Sequence, residues 1–83
     1  MELKGVIAKI DETSEDHSMP GRIRNTLKRV SKELKRGDQD LAVRITTAVY
    51  EIDEIINDIN IPMHAKTALW DIISDLEAIK EEG

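Results

Sequence analysis

Apolar residues along this chain recur at helical rather than strand intervals. Leu3, Val6, Ile7 and Ile10 fall at i, i+3, i+4 and i+7, the spacing of one helix face. Ile23, Leu27, Val30 and Leu34 repeat the pattern in a second segment. Leu41, Ile45, Ala48, Val49, Ile52, Ile55 and Ile56 carry it through a third, and Ala65, Leu69, Ile72, Leu76 and Ile79 through a fourth. Sustained strand alternation is absent. The spacing predicts an all-α protein with helices over about 2–14, 19–36, 40–57 and 61–80.

Local punctuation agrees with those four segments. Ser18 and Asn60 are good N-cap residues, and each stands two places before a proline, Pro20 and Pro62. Proline in a first helical turn forfeits only an N–H that has no intrahelical partner there, and it interrupts any helix arriving from upstream. Gly37 suits the position just past the second helix, and Asp38 and Asp40 suit the start of the third.

The four segments also repeat. Shifted by 42 residues, Ile10-Asp11-Glu12 falls on Ile52-Asp53-Glu54, Asp16 on Asp58, Ser18 on Asn60 and Pro20 on Pro62. Leu27 and Leu34 fall on Leu69 and Leu76 at the same offset. Helical periodicity alone would align apolar positions, but not the acidic triplets and both prolines. The expected architecture is one domain, residues 1–83, formed by two similar antiparallel hairpins over about 2–36 and 40–80. Each hairpin would cover the other's apolar face in a compact four-helix bundle. A short pair of HEAT-like repeats is the alternative, although solenoids ordinarily need at least three units.

Charge divides the two hairpins. Overall the chain is −5, yet Arg22, Arg24, Lys28, Arg29, Lys32, Lys35 and Arg36 stand against Glu33 alone within the second helix. Two readings follow. Arg22, Lys28, Arg29, Lys32, Lys35 and Arg36 form a face for RNA, DNA or a smaller anion, or they are a solvated face balanced by Asp53, Glu54, Asp71 and Asp75. No aromatic residue interleaves them for base stacking. A second candidate surface comes from apolar residues in excess of what one narrow stripe per helix requires. Ile56, Ile59, Trp70 and Ile73 are candidates for a partner or homodimer interface, with Trp70 the natural anchor.

Reactive chemistry is missing from the sequence. The chain has no cysteine, so neither a thiolate nucleophile nor a cysteine-bound zinc is available. Neither His17 nor His64 has a glutamate three places before it, as a di-metal carboxylate bundle requires. Glycine-rich phosphate loops and nucleophile elbows are likewise absent. The expectation is a protein without enzymatic activity, cofactor or metal. No apolar run approaches the ~18 residues of a membrane span, and the N-terminus lacks the pattern of a signal peptide. The expected location is the cytoplasm.

The segment from Leu41 to Glu77 resembles the uncharacterised archaeal protein family numbered 0147. The likeness rests on Leu41, Ala42, Arg44, Ile45, Asp53, Glu54, Ile55, Asn57, Asp58, Ile61, Pro62, His64 and Trp70. Ser18, Met19, Pro20 and Arg24 extend it more loosely into the first half. Lys66 and Ile59 depart from the pattern, where arginine and proline are usual. The resemblance implies a small cytosolic four-helix bundle and carries no activity, substrate or catalytic residue. Non-enzymatic binding of another macromolecule through a helix face, with self-association included, is the function expected, and RNA or DNA binding is the alternative.

Overall fold

A computed structural model of the chain describes residues 2–37, 39–58 and 60–82. It contains four helices: α1 (Leu3–Ser14), α2 (Gly21–Lys35), α3 (Leu41–Ile56) and α4 (Met63–Glu82). Each helix packs on its sequence neighbour, and α4 closes the ring by packing on α1. That closure distinguishes a bundle from a stack of repeats. Its radius of gyration, 11.9 Å, matches the roughly 12 Å expected of a folded chain this long.

The core is built from residues that match at the 42-residue offset. Val6 and Ala48, Ile10 and Ile52, Ile23 and Ala65, Leu27 and Leu69, Val30 and Ile72, and Leu34 and Leu76 are all buried. The inter-helix turns repeat with the same fidelity. Asp16 Oδ1 accepts from the Ser18 amide at 2.9 Å, and Asp58 Oδ1 accepts from the Asn60 amide at 2.8 Å. Pro20 O accepts from the Ile23 and Arg24 amides, as Pro62 O does from those of Ala65 and Lys66. Conservation of this hydrogen-bond pattern at one offset supports a duplicated hairpin.

These turns revise the expected caps. Ser18 and Asn60 do not cap; the aspartates two places upstream organise the turn instead, with side chains that mimic a backbone bend. Pro20 occupies the N-cap of α2 rather than its first turn, at φ −55° and ψ 146°. A proline needs no amide partner and its carbonyl still accepts the opening bonds, although it supplies no side-chain cap. Gly37 does not adopt the left-handed conformation, because α2 ends in an extended Arg36. Asp40 does cap α3, accepting from the Ala42 amide at 2.8 Å, whereas Asp38 lies outside the described residues.

Arg44 has a different role from the surface pairing with Asp40 that its spacing suggests. Its Nη1 donates to Leu34 O at 2.6 Å and also to Arg36 O, while Nε donates to Gln39 O at 3.1 Å. One guanidinium thus serves the carbonyls that the end of α2 leaves without helical partners.

Ile52→Ala should cost about 2–5 kcal/mol in a urea titration, because a fully buried β-branched side chain leaves a cavity. Tyr50→Ala, two residues away on the exposed side, should stay within about 0.5 kcal/mol of the parent.

Candidate functional site

The basic helix has most of its charge engaged. Arg22 pairs with Asp58 of the second turn, Arg29 Nε lies 3.6 Å from Glu51 Oε1 on α3, and Lys35 Nζ lies 3.3 Å from Asp11 Oδ2 on α1. The acids differ from those expected. Asp71 and Asp75 pair instead with Lys9 of α1, at 2.7 and 2.6 Å, and these two carboxylates raise the Lys9 ammonium above its ordinary value, Asp71 contributing most. Arg36 is also engaged. Lys28 and Lys32 remain exposed without an acidic partner among the described residues.

Lys28 and Lys32 border a shallow groove of about 420 Å³ between α1 and α2, which Lys35, Asp11, Ser14, Glu15 and Ser31 also line. Ser31 Oγ donates to Asp11 Oδ1 at 2.5 Å. That bond, followed by the Lys35 ammonium, holds the Asp11 carboxyl below its ordinary value. A carboxylate therefore already sits where a bound phosphate would meet Ser31 and Lys35. The phosphate-binding face that the sequence suggests contracts to two lysines.

The candidate apolar interface also changes composition. Ile56 and Ile73 are 5% and 9% exposed and belong to the core; Ile59 lies outside the described residues. Their placement follows from the duplication. At the 42-residue offset Ile56 matches Ser14 and Ile73 matches Ser31, both buried serines of the first hairpin. The apparent surplus of isoleucine fills between α3 and α4 what polar side chains fill between α1 and α2.

Trp70 is exposed, and the large apolar residues exposed with it are not the isoleucines that flank the core stripes. Val43, Tyr50, Met63 and Trp70 are 53%, 65%, 75% and 55% exposed, and they are the large apolar side chains on the surface of the described residues. All four belong to the second hairpin. Val43 and Tyr50 are seven residues apart on α3, as are Met63 and Trp70 on α4, so each pair spans two turns of one helix side. Leu41, Ala42 and Ile45 line one recess with Ile79 and Lys80, which fixes the antiparallel register. Tyr50 follows Leu41 by nine residues and Trp70 precedes Ile79 by nine, which sets the two aromatics at one height. Val43 extends the line towards one end of the bundle and Met63 towards the other, for about 20 Å in all. A period of seven on the side opposite each core stripe was the available signal.

His17 and His64 are exposed. His64 Nε2 lies 3.1 Å from Ser18 O, tying the start of α4 to the turn of the other hairpin. His64 is also the 42-residue counterpart of Arg22, which reaches Asp58 in the opposite turn. Each hairpin thus sends the same position into the other's turn, as an approximate two-fold relation requires.

These features define a small all-α protein of the up-down-up-down bundle class, with two hairpins in near two-fold register. The chain belongs to the uncharacterised protein family UPF0147, whose model matches residues 1–79. A UPF0147 protein of Methanothermobacter thermautotrophicus is 45% identical over 67 residues, covering 81% of this chain and 66% of that protein. One from Methanocaldococcus jannaschii is 37% identical over 78 residues, covering 94% and 84%. The crystal structure of a UPF0147 protein from Thermoplasma acidophilum superimposes with a TM-score of 0.88 at 34% identity, covering 92% of this chain and 89% of that one. A second crystal structure, of the unknown-function protein MMP1188, gives 0.82 at 36% identity, covering 90% and 85%. Among the described residues no helix is long and apolar enough to cross a membrane.

Lys28→Ala/Lys32→Ala should leave stability within about 0.5 kcal/mol of the parent, since neither ammonium touches an acid. Lys9→Ala should cost about 0.5–1 kcal/mol, the range of partly exposed ion pairs. Urea titrations at low and high salt separate the two, because screening should shrink the Lys9 effect.

Proposed function

We propose that this protein is a non-enzymatic interaction module of the cytoplasm that docks on another protein through the outer side of its second hairpin, self-association being one form of that docking. The observation that carries this reading is the line formed by Val43, Tyr50, Trp70 and Met63. The first hairpin exposes no large apolar side chain among its described residues. Tryptophan and tyrosine anchor interfaces with large rigid area at small entropic cost, and a line this long has the dimensions of a helix-against-helix contact. The hydroxyls of the neighbouring Thr46 and Thr67 are returned to carbonyls of their own helices, Ala42 O at 2.8 Å and Met63 O at 3.2 Å. They compete little for water along the line.

A nucleic-acid reading draws support only from the groove beside Lys28 and Lys32. It predicts binding that falls steeply with salt.

Trp70 is the sole tryptophan, so its fluorescence reports what covers it. With rising concentration of the purified chain, its emission should shift to the blue while sedimentation velocity shows a larger species, and a pull-down from cell extract should recover any different partner. Tyr50→Glu/Trp70→Glu should remain folded and abolish the larger species. A parent that sediments as a monomer and recovers no partner that the double variant loses would sink the proposal. Recovery that disappears on nuclease treatment and on Lys28→Glu/Lys32→Glu would favour the nucleic-acid reading instead.

A further inference from the structure

The two seams that join the hairpins are counterparts with unlike charge. In the α1–α4 seam Lys9 stands between Asp71 and Asp75. At the 42-residue offset those positions become Glu51, Arg29 and Glu33, which meet in the α2–α3 seam. Two of the three charges are inverted and the third is not. Where the first seam opposes Lys9 to Asp75, the second opposes Glu51 to Glu33.

Geometry leaves that acid pair incomplete. Arg29 addresses Oε1 of Glu51, while Oε2 of Glu51 and Oε2 of Glu33 are both buried without a hydrogen-bond partner. The other charged groups near them are accounted for. Glu54, on α3, adds a further negative charge to Glu51. Arg36 and Arg44 line a recess of about 250 Å³ beside Glu33, with Gln39 and Thr47; Arg44 is committed to the carbonyls at the end of α2, and Arg36 is engaged as well. Among the described residues, the charged groups that act on Glu51 are Glu33 and Arg29 of α2 and Glu54 of α3. Burial, and then the charge of Glu33, push the Glu51 carboxyl above its ordinary value against the pull of Arg29.

We propose that Glu51 retains its proton in the cleft it shares with Glu33, making the α2–α3 seam a joint that tightens on mild acidification and loosens as the proton is lost. With the proton on Glu51, its buried carboxyl is neutral and the repulsion from Glu33 is removed. Without it, two carboxylates repel in a poorly hydrated seam. Because the folded chain holds this proton more tightly than the unfolded chain, the stabilisation is complete below the ordinary glutamate range. It is lost as pH rises through the folded-state value. Asp11 behaves oppositely: its stabilisation is present above the ordinary aspartate range and is lost as pH falls through its lowered folded-state value.

The test is thermal unfolding followed by circular dichroism, between about pH 5 and about pH 8, a window chosen above the range of ordinary carboxylates. The chain and its Glu51→Gln variant are compared as a difference, which cancels every other titrating group. Glu51→Gln donates an amide N–H to Glu33 at all pH values. Relative to the variant, the parent should lose a few degrees of Tm as pH rises, and Glu51→Gln should be the more stable at the alkaline end. Glu33→Gln should reduce the slope without abolishing it, because burial continues to favour the protonated Glu51. A pH-independent difference, or a Glu51→Gln variant less stable than the parent at the alkaline end, overturns the proposal. If the variants fail to fold, the side-chain carboxyl carbon of Glu51 in the parent decides by NMR titration. A midpoint above that of a glutamate in an unstructured peptide supports the retained proton on Glu51, and a midpoint at or below it refutes it.

Discussion

Mutual burial of two apolar faces governs this molecule. A single two-helix hairpin of about 40 residues leaves one side of its stripe in water and cannot bury enough surface to fold alone. Here Ile10, Leu27 and Leu34 of one hairpin share a core with Ile52, Leu69 and Leu76 of the other, all essentially removed from solvent. Each fully buried aliphatic side chain contributes about 1.5–3 kcal/mol, against a conformational entropy that nearly cancels the total. Neither half can therefore loosen much without the other.

Polar groups then specify how the halves meet. Asp16 and Asp58 shape equivalent turns, Arg22 and His64 cross to the opposite turn, and Arg44 serves the carbonyl end of α2. These contacts lie at the ends and flanks of the bundle, where helices expose unpaired backbone groups and water is close. They set register and orientation while the aliphatic interior supplies most of the driving force.

Much of this was legible in the sequence. Helical spacing located four helices to within a few residues, and the 42-residue echo anticipated two matching hairpins. The repeated Asp16 and Asp58 mark the turns, whereas the capping ability of Ser18 and Asn60 goes unused because their amides donate to those aspartates. Residue type indicates capping ability, whereas the backbone angle at the following proline decides where a helix begins. Ile56 and Ile73 were assigned to a surface because one helix alone does not reveal that its neighbour leaves a gap. The counterpart positions in the first hairpin are the serines Ser14 and Ser31, so the repeat itself does not announce two core isoleucines. Ion pairing was least legible. Rows of lysine and arginine are obvious along α2, but their partners are fixed by the rotation between helices, which periodicity within one helix does not encode.

The unlike seams bear on how the chain avoids assembling wrongly. Two copies of the first hairpin, set together in the observed geometry, would place Lys9 beside Arg29 and Glu33. Two copies of the second would place Glu51 against both Asp71 and Asp75. Only the mixed arrangement brings Lys9 to Asp71 and Asp75 while giving Glu51 an arginine. The two similar halves thus prefer an unlike partner to a like one. In a crowded population of chains, that preference opposes the pairing of like hairpins, and it leaves Glu33 and Glu51 on facing sides of one seam.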